Sequence, residues 1–289
     1  MDDLNGRVAV VTGGGSGIGR GLALGLAAEG MTVAVADIQS ANAEAVAGEI
    51  ASAGGRAFAV EVDVTSVESL AGAAERIVAE AGGVNLLCAN AGVLARIAPL
   101  ADHSLADWEY TLSVNVMGIV KTVAAFLPAL RKSAPDAHVV NTASLGGLLA
   151  EVQAPIGAYI ASKYACVGYS EMLRAELASA GIGVSVLCPG MVASNLLGTS
   201  SANRPEAFGA QADPRLTMGD GDGGAPPSDW FMPAEEVGPI VVRAIRANRL
   251  HVLTHPQSRP LVERRFRAML YDFDFAAEAR TPSARGEEP

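Results

Sequence analysis

The chain has 289 residues, 50% hydrophobic and 18% charged, with a formal net charge of −10. That content allows a large buried core and excludes bulk disorder. The acidic balance, with no cluster of Lys and Arg, excludes a nucleic-acid partner, since a phosphate backbone demands grouped cations.

No charge-free window of ~18 apolar residues occurs, so no membrane span is expected. The start MDDLNGRVAV lacks the basic flank and apolar run of a secretory signal. Cys88, Cys166 and Cys188 sit in apolar contexts without metal-ligand spacing. They read as buried thiols of a cytoplasmic protein, and no metal site is expected.

The first predicted strand, 7–12, carries Val8-Ala9-Val10-Val11 and runs into TGGGSGIGR, five glycines in nine residues. A helix starting near Gly17 follows, so backbone N–H groups and a helix N-terminus meet at the turn. That is a site for an anion such as a pyrophosphate. The same glycines would serve a plain strand-to-helix turn, and the spacing Gly13-x-x-x-Gly17-x-Gly19 differs from G-x-G-x-x-G.

Further strands are predicted at 32–36, 57–62, 84–89, 138–142 and 183–187, with a weaker one at 251–254. Ala- and Leu-rich helical stretches separate them. The alternation implies parallel strands with right-handed crossovers. It predicts an α/β fold: one doubly wound, Rossmann-like sheet of about seven strands with helices on both faces. Residues 1–289 are read as one domain.

Asn141-Thr142-Ala143-Ser144 closes the strand at 138–142 and puts the Ser144 hydroxyl at the carboxyl edge of the sheet, where ligands bind in such folds. Downstream, Tyr159-Ile160-Ala161-Ser162-Lys163 places a phenol and an ammonium four apart, on one helix face. A free tyrosine, with a pKa near ~10, is a poor base at neutral pH, but a nearby cation favours the phenolate and makes it a usable acid/base. An amphipathic helix with a chance Tyr and Lys gives the same pattern; the conjunction with Ser144 favours chemistry.

A stretch at about 194–232, rich in Gly, Pro, Asp and Ser, breaks the rhythm and is read as a loop near substrate, the loop region as a whole spanning about 191–232. A helix with Pro near its start follows at 233–248, and 259–267 reads as a mixed-charge helix face. The tail 281–289 is polar. His251 and His255 lie on a strand-like run, where residues four apart do not converge on a metal. Tyr164 and Tyr169 are read as packing residues, and Arg96 and Arg204 as solvated surface groups, with contact to an anionic substrate group as the alternative.

From about residue 7 to 253 the chain resembles the short-chain dehydrogenase/reductase family, in its single-domain branch. Thr12, Gly13, Gly17, Ile18 and Gly19 match that family's cofactor turn, Asp63-Val64 its adenine contact and Asn90-Ala91-Gly92 its strand-stabilising motif beside the ribose. Asn115, Ser144, Tyr159 and Lys163 match its catalytic tetrad, and Pro189-Gly190 its segment flanking the nicotinamide.

The resemblance implies that Tyr159 exchanges a proton with the substrate oxygen while hydride moves between substrate and nicotinamide. Ser144 would hold that oxygen, Lys163 would assist Tyr159 and bind the nicotinamide ribose, and Asn115 would link Lys163 to solvent through its carbonyl or a water. Ser16, Asp37, Ile38, Val192 and Ser194 join the implied cofactor contacts.

Three departures stand out. Ala89-Asn90 replaces a double asparagine, the interval from Ser144 to Tyr159 is about two residues longer than usual, and Ser194 replaces a threonine.

Asp37, at the end of the second strand, favours NAD by accepting from ribose hydroxyls and repelling the phosphate of NADP. Ser16 and Ile38 offer no positive charge, and Arg20 is the nearby cation that could partly compensate.

The expected function is oxidation or reduction of a hydrophobic or aromatic secondary alcohol or ketone. The alternatives are a catalytically silent NAD-binding regulator or a reductase of a steroid, sugar or acyl-chain carbonyl. Expected pocket walls are Leu94, Ile97, Leu145, Leu148, Val152, Ile156, Met191, Leu196 and Leu197, with Trp230, Phe231 and Met232 closing over them. SNLLGTSSANRPEAFG and RLHVLTHPQSRPLVERRF resemble a bacterial branch that includes enzymes oxidising benzylic alcohols of lignin-derived aryl ethers. A homodimer or homotetramer is implied, through helices at 105–131 and 157–180.

Overall fold

The computed structural model describes residues 1–150, 155–194, 196–209 and 231–278. Val152, Trp230 and the tail 281–289 lie outside the described residues. The chain separates into two compact units, Met1–Thr254 and His255–Pro289. The described helix of the second is α9 (Arg259–Glu278).

The first unit holds a parallel sheet of seven strands: β1 (Val8–Thr12), β2 (Thr32–Asp37), β3 (Arg56–Glu61), β4 (Leu86–Ala89), β5 (His138–Thr142), β6 (Gly183–Cys188) and β7 (His251–Leu253). Their order is 3-2-1-4-5-6-7. The direction of winding reverses between β1 and β4, and the crevice at their carboxyl ends is where such sheets bind ligands.

Alternate residues of a strand face opposite sides. Val10 therefore joins Val139, Val184, Phe126 and Leu130 in one core cluster, while Ala9 and Val11 join Leu22, Leu26, Val241 and Ile245 in another. The second cluster includes residues of α1 (Gly17–Ala28), α2 (Ser40–Ser52) and α8 (Val237–Arg246), and the first residues of α3 (Val67–Ala81), α5 (Ile119–Ser133) and α6 (Gly157–Leu177).

α4 (Leu105–Leu112) starts on a capping box in which Ser104 and Asp107 satisfy each other's backbone N–H. It continues through a π-helical turn (Ser113–Gly118) into α5. The combined helix Leu105–Ser133 is long and apolar enough to cross a membrane by length and composition. Its residues Ile119, Val123, Phe126 and Leu130 are instead buried in the core beside the sheet.

The predicted strands agree with the observed ones to within two residues. The stretch from 194 differs: α7 (Leu196–Ala202) and a 3-10 turn (Glu206–Phe208) occupy its first part. Local propensity there is weak, and the tertiary bonds described below stabilise the helix.

Among the described residues Cys88, Cys166 and Cys188 are free and buried, and no group of His, Cys, Asp and Glu could hold a metal. Burial pushes the Cys88 thiol up to about 12.

His138 on β5 is also buried. The Ser185 hydroxyl donates to Arg249 O at 2.6 Å, so His138 Nε2–H donates to Ser185 Oγ at 2.8 Å. Burial, then the positive N-terminus and Arg174, push its pKa down to about 3. An unfolded histidine titrates near ~6.5, so below that pH the unfolded chain binds a proton that the folded chain refuses. Stability from this group is complete above ~6.5 and falls as pH drops towards about 3. In thermal melts over that range, His138→Gln is expected to show a shallower acid slope than the parent; equal slopes would contradict the assignment.

Candidate active site

The floor of the crevice is built by ties between β1 and β4. Thr12 Oγ1 accepts the N–H of Asn90 at 3.0 Å and of Ala91 at 3.2 Å, and Asn90 Nδ2 donates to Thr12 O at 3.0 Å. Asn90 supplies the side-chain amide of this tie, although Ala89 stands where a second asparagine was the family's usual residue. Gly13 has φ +63°, and a Cβ there would stand 2.9 Å from Ala91 Cα. A Cβ at Gly19 would overlap Gly13 O. Larger residues at either position would close the cradle over the turn. Ser16 at the N-cap gives α1 no side-chain hydrogen bond, which leaves its first turn without a side-chain cap to compete with an anion. The cradle and this helix end fit the pyrophosphate of a dinucleotide.

At the end of β2 the Asp37 carboxylate is fixed by two backbone donors, Gly15 N to Oδ2 and Gln39 N to Oδ1, each at 2.9 Å. Ile38 beside it is 43% exposed and brings no charge. Arg20 is held by Glu49 at 2.6 Å and by Glu235. This corrects the view of Arg20 as a cation spare for a cofactor phosphate: two carboxylates engage it. Asp63 Oδ1 accepts from Thr65 N at 2.8 Å and Thr65 Oγ1 at 2.7 Å, which orders the turn after β3.

Tyr159 and Lys163 project from adjacent turns of α6. Lys163 is 3% exposed, and its Nζ donates to Thr142 O at 2.9 Å and lies 5.5 Å from the Tyr159 ring centroid. Ser144 Oγ accepts from Gly146 N at 3.1 Å, which fixes the hydroxyl at the end of β5. The same edge is tied to the next strand by Leu145 N donating to Pro189 O at 2.7 Å.

Asn115 is buried in the π-helical turn. Its Oδ1 accepts from Val93 N at 2.8 Å, and its Nδ2 donates to Val93 O at 2.9 Å and Ser162 Oγ at 3.0 Å. The side-chain amide is therefore committed to structure.

Every cofactor-side residue named from the sequence except Thr12 lines one continuous groove with Ser144, Tyr159 and Lys163. Asn115 lies just outside that lining, and its Oδ1 is 3.3 Å from where a Gly92 Cβ would stand. Of the expected apolar walls Leu94, Ile156, Met191 and Leu196 line the groove, as does Phe231. Ile97, Leu145, Leu148 and Leu197 do not; Leu148 packs on the core instead. Met232 N donates to Met191 O at 2.9 Å and Ala193 N to Met232 O at 2.9 Å, so Met232 braces the segment after β6.

α7 is docked over this groove by polar ties. Leu94 N donates to Ser200 Oγ at 2.8 Å, Tyr110 OH to Ser200 O at 3.2 Å, and Gln39 Nε2 to Asn203 Oδ1 at 2.7 Å. Arg204 reaches Asp107 at 3.0 Å and stacks over the Tyr110 ring with its side chain 3% exposed. The expectation of a solvated Arg204 is thus corrected, since a carboxylate and an aromatic face compensate its burial. Arg96 also turns towards Asp107, at 3.8 Å. Burial opposes ionisation of Asp107, but hydrogen bonds from Ser104 and the charge of Arg204 outweigh it and hold the carboxyl below its usual range.

The sequence reading missed Tyr110, Thr199 and Asn203 as groove walls and Thr142 O as the anchor of Lys163. A main-chain acceptor leaves no mark on residue identity, and the other three enter only through the placement of α4 and α7.

A seven-stranded parallel sheet with a glycine cradle at its switch point and a Ser-Tyr-Lys set at its carboxyl edge defines a nucleotide-dependent oxidoreductase class. The family model described as short chain dehydrogenase matches residues 7–205. The chain belongs to that family. It is 36% identical over 195 residues to "Probable oxidoreductase EphD" of Mycobacterium tuberculosis; this covers 68% of the chain but 32% of that longer relative.

Over nearly full length it is 30% identical to the "CLA biosynthesis dehydrogenase/reductase" of Lactiplantibacillus plantarum, covering 94% of the chain and 96% of the relative. It is 27% identical to the "C alpha-dehydrogenase" of Sphingobium sp. strain NBRC 103272 / SYK-6, covering 93% and 87%. The crystal structure of a short chain dehydrogenase/reductase from Burkholderia phymatum in complex with NAD superposes with a TM-score of 0.83 at 31% identity, covering 94% of this chain and 97% of that one.

Proposed function

We propose that the protein interconverts a hydrophobic or aromatic secondary alcohol and its ketone using NAD(H), with Tyr159 as the acid/base. The observation that carries this reading is the placement of Tyr159, Lys163 and Ser144 in one groove, with Lys163 Nζ 5.5 Å from the Tyr159 ring centroid. Bound NAD(H) would accept or donate the hydride. Asp37, the Gly13–Gly19 cradle and the α1 N-terminus would hold the dinucleotide. Ser144 Oγ fixes the substrate oxygen, and Tyr159 OH takes or returns its proton. Lys163, anchored on Thr142 O, sets a cation beside the ring, where it attracts the negative charge developing on the phenol oxygen.

Leu94, Ile156, Met191, Leu196 and Phe231 give the groove an apolar wall suited to a hydrophobic partner. The resemblance of 194–209 and 249–266 to a branch acting on benzylic alcohols supports including these among the candidates. A panel of hydrophobic and aryl secondary alcohols, followed by absorbance of reduced cofactor, tests the reading. Turnover of none of them, with cofactor bound, would count against it.

The long helices carry exposed apolar residues, Leu105, Leu112 and Met117 on the first and Met172 on α6. They support assembly of a homodimer or homotetramer through these helices. Light scattering is expected to show at least a dimer; a stable monomer at working concentration would count against it. The free buried thiols accord with a reducing, cytoplasmic location.

A further inference from the structure

α9 carries an arrangement that an isolated helix does not tolerate. Residues 266–277 are exposed without a break. They include Phe266, Met269, Leu270 and Phe273, the last 71% exposed. Val262, Phe266, Met269, Phe273 and Ala276 recur at alternating spacings of four and three, the seam of a helix pair. The charges are also segregated. Arg259, Arg264, Arg265 and Arg267, with Glu263, occupy the N-terminal half, and Asp272, Asp274 and Glu278 the C-terminal end. Cations at a helix N-terminus and carboxylates at its C-terminus both oppose the macrodipole. Helices of this length owe their stability mainly to a packed face, and this one exposes its face.

We infer that α9 pairs antiparallel with α9 of a second copy of this chain. One partner resolves each conflict. Antiparallel dipoles attract, and the arginine half of each helix meets the carboxylate half of the other across a two-fold axis. In the register that sets Phe266 against Met269 and Phe273 against Val262 of the other copy, Arg265 falls beside Asp272 on both sides of the axis. The seam removes Phe266, Met269 and Phe273 from water, with Leu270 at its flank, while Tyr271 and Phe275 stay on the outer side. This interface is separate from the one proposed for α4, α5 and α6 and does not depend on the catalytic reading.

The test uses two full-length variants in sedimentation at equal concentration. Asp272→Arg with Asp274→Arg leaves Glu263 and Glu278 as the acidic residues of a net basic helix, and Arg264→Asp with Arg265→Asp and Arg267→Asp makes it net acidic. Each repels its own kind and attracts the other. The parent is expected to show twice the mass of either variant, and mixing equal amounts of the two to restore the parent mass. Phe273→Ser, which keeps every charge, is expected to give the halved mass as well, so a misfolded charge variant does not end the test; circular dichroism checks each fold. Equal masses for the parent and all variants would overturn the pairing, as would halved masses that mixing does not restore. Unchanged mass with flotation of the parent on phosphatidylglycerol vesicles would overturn it in favour of a lipid surface.

Discussion

Tyr159→Phe is expected to lower kcat by about 10²- to 10⁴-fold, the usual contribution of a positioned acid/base, while cofactor affinity stays unchanged. The substitution removes one hydroxyl from a side chain that is only partly buried. It preserves the ring beside Lys163 Nζ and leaves the bond from Lys163 to Thr142 O intact. The groove therefore keeps its shape and its charge, and the loss falls on proton transfer alone. Turnover by absorbance and cofactor binding by fluorescence titration separate the two effects. Retention of most activity would show that another group moves the proton. Loss of cofactor binding together with turnover would show that the phenol is a structural prop.

The sheet was legible because its strands are buried on both faces and so read as short β-branched runs, and because the glycine turn marks where β1 gives way to α1. Tyr159 and Lys163 were legible for a simpler reason: helical periodicity alone puts residues four apart on one face. What escaped depends on contacts distant in sequence. Arg204 looks like any surface arginine until α7 is docked on α4 and Asp107 comes within 3.0 Å of it. Leu148 has the character of a pocket wall, yet the turn after Ser144 directs it to the core. Asn115 carries a side-chain amide spent on Val93 and Ser162, which only the π-helical turn reveals. The helix α7 lay in a stretch of weak propensity, and its stability comes from Leu94, Tyr110 and Gln39, which lie between 90 and 164 residues away in sequence from the groups they bond.

NAD is expected to be preferred over NADP by at least about tenfold in kcat/KM, equivalent to ~1.4 kcal/mol. The Asp37 carboxylate is held at the end of β2 by the N–H groups of Gly15 and Gln39, each at 2.9 Å, and it lines the groove. Its position therefore does not relax when a ligand arrives. Ribose hydroxyls can donate to it, whereas a phosphate on the same ribose would face a fixed like charge. Compensation would need a cation nearby. Ser16 and Ile38 supply none, and Arg20 is bound to Glu49 and Glu235. Asp37→Ala removes the repulsion, and Ile38→Arg adds a cation at a side chain already 43% exposed, where it can reach a phosphate without burial cost. The double variant is expected to narrow or reverse the preference, measured as kcat/KM for each cofactor with one alcohol. Equal use of NAD and NADP by the parent would show that the carboxylate does not meet the ribose. An unchanged preference in the double variant would place discrimination elsewhere in the groove.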